Sequence, residues 1–254
     1  MKSLIWFLGR VALIASLAIG VGGMSARANT ITNVDLSAYY TSPWNSTDQA
    51  NGDQINAALM AGTGSTGTGI TFSDPGGELV PVRPMNTVSI TGLSIALNAN
   101  AKVNSLINNF FGTADLVEAA VTFTNSNSQT ATYSLVGNQT TRDYNNYIYT
   151  NDLSGSNSTP GLGAVTAQEW WNNGDGGQRL DVQTFVLPPS WAGSDLTTVT
   201  IVDPTTGDWD VLSALRVDEG TPATTPEPGS LALLAIGLVT LCGIGISRRK
   251  LALS

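Results

Sequence analysis

The sequence contains no histidine, and its single cysteine, Cys242, sits inside an apolar run at 231–246 near the C-terminus. Without histidine there is no imidazole base for a serine triad or a papain-type cysteine protease, and the usual catalytic zinc centres lose their main ligand. With no cysteine outside the apolar run, the rest of the chain has no disulfide and must fold around a hydrophobic core. Charge is sparse as well, with eleven Lys and Arg against nineteen Asp and Glu in 254 residues. Six of the basic residues (Lys2, Arg10, Arg27, Arg248, Arg249, Lys250) lie at the chain ends, so residues 29–228 hold five basic and nineteen acidic side chains, a net charge of −14. Such a surface repels phosphate backbones and excludes nucleic acid as a partner. What remains open is carboxylate chemistry, hard cations held by oxygen, or no catalysis.

The two ends read as targeting segments. Lys2 and Arg10 accompany an apolar run at 11–21, and Ala26-Arg27-Ala28 places small residues two apart ahead of Asn29. This is a secretory signal peptide, residues 1–28, cleaved after Ala28. At the other end Pro226-Glu227-Pro228 precedes the run 231–246, and Ser247-Arg248-Arg249-Lys250 follows it. At about 1.5 Å per residue that run spans roughly 24 Å, slightly short for a transmembrane helix, so Ser230 and the snorkelling stems of the basic cluster complete the crossing. The positive end belongs on the cytoplasmic side, which places residues 29–228 across the membrane from it.

This order of parts resembles the PEP-CTERM sorting signal of exopolysaccharide-producing Gram-negative bacteria, carried here by Pro226, Glu227 and Pro228, by 229–234 and Gly237 after them, and by Arg248, Arg249 and Lys250. The resemblance covers about a tenth of the chain. It implies processing by an exosortase, transient anchoring in the inner membrane, and delivery to the cell surface or extracellular matrix. A sorting signal does not specify what its cargo does.

Between the ends, residues 29–219 read as one β-domain, with a linker at 220–225. The composition favours Thr, Asn, Ser, Gly and Val and lacks a long stretch of helical period, as expected for short strands joined by polar turns. The clearest strand is 117–124, where Ala119, Val121 and Phe123 alternate with Glu118, Thr122 and Thr124. Asn125-Ser126-Asn127-Ser128 turns the chain, and Ala131, Tyr133 and Leu135 resume the alternation. Residues 179–187 place Leu180, Val182 and Val186 on one face and Arg179, Asp181 and Gln183 on the other, polar one. Further strands are expected at 70–72, 78–82, 87–90, 93–97, 196–202 and 208–217. The pattern predicts an all-β antiparallel sandwich, jelly-roll-like, flanked by the signal peptide and a C-terminal transmembrane helix. Val103, Leu106, Ile107, Phe110 and Phe111 sit at helix-like spacing, which predicts a short helix or covering lid closed by Gly112.

A second resemblance rests on Val103-Asn104-Ser105-Leu106, on Phe111-Gly112, on Tyr133-Ser134-Leu135-Val136-Gly137-Asn138 leading into Arg142-Asp143-Tyr144, and on Arg179-Leu180-Asp181-Val182-Gln183. These segments are similar to exported β-sandwich domains found ahead of this sorting signal, which look like galactose-binding-type jelly rolls. The resemblance implies a fold and an envelope location, and no enzymatic activity.

Candidate sites follow from residue type. A flat ring stacks on the C–H face of a pyranose while Asn and Asp bond its hydroxyls, so Trp170, Trp171, Asn172 and Asp175, read as a loop, and Tyr144 with Asn145, Asn146 and Tyr147, are candidate carbohydrate ligands. Adjacent residues on an extended chain point opposite ways, so at most one of the two tryptophans is expected at the surface. Calcium would find oxygen ligands at Asn172, Asn173 and Asp175, or at Asp203, Asp208 and Asp210, though neither group has EF-hand spacing. Arg142 with Asp143, and Arg179 with Asp181, are expected to form structural ion pairs holding loops to the sheet. A glycosidase would need two carboxylates flanking a cleft. The expectation is a non-catalytic structural or adhesive protein of the exopolysaccharide matrix, without a cofactor; the alternatives are a lectin-like module and, less favoured, a carboxylate-dependent hydrolase.

Overall fold

Alternating apolar and polar residues build most of the strands, and bulges decide where the alternation breaks. The computed structural model describes residues 29–43, 52–73, 78–83, 85–110, 112–144, 153, 155–157, 164–174, 178–206 and 209–220, all inside the unit Ala28–Pro222. In chain order the elements are β1 (Ile31–Asn33), β2 (Ser42–Pro43), α1 (Gly52–Ala61), β3 (Glu78–Val82), β4 (Thr87–Ala96), β5 (Lys102–Phe110), β6 (Val117–Asn125), β7 (Thr130–Val136), β8 (Ser156–Asn157), β9 (Val165–Asn172), β10 (Arg179–Val186), β11 (Asp195–Val202) and β12 (Trp209–Asp218).

The strands form two antiparallel sheets. The larger runs β2-β3-β12-β5-β10-β9-β8, with β1 also beside β12, and the smaller runs β4-β11-β6-β7. Pairing is nested: β3 with β12, β4 with β11, β5 with β10, and β6 with β7 at the centre. A long antiparallel ribbon rolled in this way is a jelly roll, with β8 and β9 added outside β10. The turn at its centre is built by one side chain: Asn125 Oδ1 accepts from the backbone N–H of Asn127 (3.0 Å) and Gln129 (2.9 Å). Ser128 meanwhile takes φ of 61°. As read from the alternation, Ala119, Val121, Phe123, Tyr133 and Leu135 are buried.

The main core lies between the sheets. Phe123, Tyr133 and Phe185 meet edge to face there, with centroids 5.2 to 5.5 Å apart. A second core covers the outer face of the larger sheet, where Ile55, Ala58 and Leu59 of α1 and Phe72 pack with Leu106, Trp170, Leu180, Val182 and Val211. Burying Ile55 or Leu59 contributes about 1.5–3 kcal/mol each. Gly62, at φ 66°, ends α1 in the left-handed conformation, and its N–H reaches the carbonyls of Ala58 and Leu59. A Cβ at Gly62 would lie 2.1 Å from the Phe72 carbonyl oxygen.

This second core explains where the sequence reading and the fold part. The expected helix or lid at 103–111 is instead the central strand β5, whose Val103 and Ile107 face the main core while Leu106 faces the second. A strand buried on both faces has no polar alternation, and its apolar spacing then imitates a helix. Phe111 lies outside the described residues. The ten-residue helix α1 was not expected, although Ile55, Ala58 and Leu59 carry the i, i+3, i+4 spacing of a helix face. Residues 70–72 form no strand, only an isolated bridge between Thr71 and Thr63. The segments 87–90 and 93–97 are one strand, β4, with a register shift opposite Leu196 and Thr198 and Gly92 at φ 76°.

Strand β10 departs in another way. Its polar face, with Arg179, Asp181 and Gln183, is buried, while Val186, expected inside, is 48% exposed. The segment after β7 bonds Asp181 and Gln183 on one face, while the second core takes Leu180 and Val182 of the other face and does not include Val186.

Candidate functional site

The pairing of β9 with β10 places the polar groups. Leu180 pairs with Trp171 and Asp181 with Glu169, so Trp170 is the extra residue of a β-bulge. The segment expected as a loop, Trp170 to Asn172, is therefore strand, and the bulge turns both indoles toward the same outer cluster rather than to opposite faces. Trp170 is fully buried, donates its indole N–H to the Ile70 carbonyl at 2.8 Å, and meets Phe72 edge to face. Trp171 is half-buried.

The same register sets the carboxylates of Glu169 and Asp181 opposite each other, a repulsive cross-strand pair unless a cation bridges them. Arg142 bridges them. It arrives on the segment after β7, which turns through Asn138 at φ 64° and is held where the Thr140 hydroxyl accepts from the Val136 N–H at 3.0 Å. Its Nε and Nη2 donate to the two Asp181 oxygens at 2.8 and 2.5 Å, and Nη2 also reaches Glu169 Oε2 at 3.0 Å. Arg179 Nε donates to the Asp143 carbonyl oxygen at 3.3 Å. Arg142 thus crosses to β9 and β10, because a two-carboxylate site is a good ligand for its planar fork, while Arg179 is attracted by Asp181, as expected, and by Glu169 and Asp143 as well.

Buried amides close the cluster. Gln183 Oε1 accepts from the Ser105 hydroxyl (3.0 Å) and the Ile107 N–H (2.9 Å), while its Nε2 donates to the carbonyls of Ile107 (2.8 Å) and Thr140 (3.2 Å). With all four bonds made, one side chain stitches β5, β10 and the 137–144 segment together.

Burial pushes the Asp181 carboxyl above its usual range against the pull of the Arg142 guanidinium. Arg142 is itself desolvated, yet its two carboxylate partners hold it firmly protonated and raise its pKa. Arg179 is lowered by burial and by the neighbouring Arg142. Three of the five guanidinium N–H donors of Arg142 go to these two carboxylates, so the arrangement fastens a loop to a sheet.

The remaining candidates scatter. Tyr144 is buried in the second core. Asn172 donates Nδ2 to Glu169 Oε1 at 2.6 Å and accepts the Gly174 N–H at 2.9 Å, and Asn173 bonds Gln178. Asp203 is buried, with Oδ1 accepting the Thr205 N–H at 2.8 Å, and Asp210 is buried in β12 opposite Asn109 and Val82. Asp175, Asp208, Asn145, Asn146 and Tyr147 lie outside the described residues. Among the described residues no three or more acidic side chains group to hold a metal ion, and no helix is long and apolar enough to cross a membrane. Glu169 and Gln183 were not singled out from the sequence; the former becomes visible only once the bulge sets it opposite Asp181.

The chain outside the sandwich supplies the decisive comparison. Residues 224–250 match the PEP-CTERM protein-sorting motif. The motif contains Pro226, Glu227, Pro228, Arg248, Arg249 and Lys250, all outside the described residues, as are Ala26, Ala28 and the run 231–246. It implies an exported protein that transits a membrane, is processed by an exosortase and reaches the surface. Among curated proteins and among solved structures, nothing matches the chain.

Proposed function

We propose that this chain is a non-catalytic structural or adhesive component of the cell surface or extracellular matrix of a Gram-negative bacterium, associated with its exopolysaccharide. Residues 1–28 export it, 231–246 hold it in the inner membrane, and cleavage near Pro226 releases the sandwich to the surface. The observation that carries the reading is the sorting motif at 224–250. The sandwich supports it, since Glu169 and Asp181, the carboxylates set face to face across β9 and β10, are both bound by Arg142 instead of flanking a reacting bond. That binding weighs against the carboxylate-dependent hydrolase. We propose no resident cofactor; calcium at Asp203 or Asp210 has little support, because Asp203 already caps its own turn through Thr205.

The second reading, a lectin-like module, is favoured by one observation: Trp171 reaches the surface next to Asn172 while Trp170 and Tyr144 are committed to the core. Fractionation tests the first reading. Cells expressing the chain with Pro226→Ala and Glu227→Ala should retain it, uncleaved, in the inner membrane, whereas the unaltered chain is recovered at the surface with polysaccharide. Surface delivery of the variant at the normal level would refute the sorting step.

A further inference from the structure

The outer face of the smaller sheet carries a regular array of hydroxyl groups. Register places Ser89 opposite Thr200, Thr200 opposite Thr122, and Thr122 opposite Thr132, one row across all four strands. Two residues along, Thr91, Thr198, Thr124 and Thr130 form a second row. All eight positions bear a hydroxyl. Between them Ile90, Val199 and Phe123 lie in the main core and Ala131 packs against it, so the eight side chains share the opposite face. Those on the edge strands β4 and β7, except half-buried Thr132, are exposed, and those on the two inner strands are half-buried. Neighbouring strands stand about 4.8 Å apart and the two rows about 6.8 Å apart, so each row is roughly 14 Å long.

Threonine is common in strands, and a single cross-strand Thr pair needs no function. Two features go beyond that background. Exposed edge strands normally carry charge, above all Lys, to repel other sheets, yet β4 and β7 present only Ser89, Thr91, Thr130 and Thr132 in these rows. The array is also free of charge on a chain whose residues 29–228 carry a net −14.

We propose that this face binds a neutral, hydroxyl-rich polysaccharide laid along the rows. It deepens the preceding proposal and rests on it. A hydroxyl both donates and accepts, so a row of them matches a polymer that repeats the same group along its length. Only part of the bonding capacity is spent within the sheet, at Ser89–Thr200 (3.2 Å) and Thr122–Thr132 (2.9 Å). An anionic polymer would be repelled by the acidic chain and would meet no Lys or Arg in the array, which selects a neutral one. Each hydroxyl bond is weak in water, so binding depends on many acting together along one chain.

The test is affinity electrophoresis of the full chain in detergent, in gels containing hydroxyethylcellulose, dextran or, as the anionic comparator, alginate. The unaltered chain should be retarded by a neutral polymer, equally at low and high salt, and not by alginate. The Thr122→Val, Thr132→Val, Thr200→Val variant keeps strand-forming shape and loses three hydroxyls, which should weaken retention about tenfold or more. If it does not fold, Thr91→Val with Thr130→Val on the exposed edges serves instead. Retention lost with Trp171→Ala but kept in the valine variants would overturn this site while leaving polysaccharide association standing. Retardation by alginate alone would overturn this site and leave polysaccharide association standing; no retardation by any of the three polymers would overturn both, and shaping of ice crystals in its place would assign the array to a water lattice.

Discussion

Replacing Arg142 by methionine should destabilise the sandwich more than any surface charge change, and in a pH-dependent way. Asp181 is fully buried and takes two bonds from the guanidinium, at 2.8 and 2.5 Å, whereas Glu169 keeps a third of its side chain in water. Methionine preserves the stem but leaves the Asp181 carboxylate buried without its bidentate partner, which costs about 3–5 kcal/mol. For a unit of this size that lowers Tm by roughly 6–20 °C. The sign with pH follows from the direction of the shift. A carboxyl whose folded pKa is raised contributes stability below its unfolded pKa and loses it as pH rises through the folded value. Burial already pushes Asp181 up, and removing Arg142 pushes it further. The penalty should therefore be larger at pH 7 than at pH 4. Urea unfolding followed by fluorescence of the buried Trp170 and Trp191 at both pH values measures it. Adding Asp181→Asn should recover part of the loss at pH 7, while Glu169→Gln alone should cost under about 1 kcal/mol. A loss of similar size at both pH values, or no recovery when Asp181→Asn is added, would refute the assignment of Arg142 as the counter-ion of Asp181.

Two further outcomes rest on single contacts. Trp170→Ala removes a fully buried ring and its bond to the Ile70 carbonyl, and should cost about 3–5 kcal/mol with loss of the packing of α1, read by urea midpoint and far-ultraviolet circular dichroism. Burial pushes the Tyr133 phenol up to about 12, and its O–H donates to the Val186 carbonyl at 2.6 Å. Stability should hold up to about pH 10 and fall as pH rises through 12; Tyr133→Phe should weaken that alkaline loss while costing about 1 kcal/mol at neutral pH, seen in Tm across a pH series.

The C-terminal sorting motif and the central hairpin were legible in the sequence because each rests on local chemistry. Proline-glutamate-proline, an apolar run and a basic cluster act through their order alone, and 117–125 with 130–136 alternates because one face meets the core and the other meets water. Strand β5 and the polar face of β10 were not legible, since both depend on what covers them. Helix α1 buries the second face of β5, and the segment carrying Arg142 buries Asp181 and Gln183; neither contact leaves a period in the sequence. The tryptophan pair failed for a related reason, as one inserted residue in β9 reverses the facing of every side chain beyond it and only the partner strand determines where that insertion falls. What the sequence by itself determined was the class of fold, the exported charge and the sorting motif, all set by composition and short-range order. Which carboxylates meet, which indole reaches water and which hydroxyls line up across four strands were decided by tertiary structure, because register is a property of paired strands and not of either strand alone.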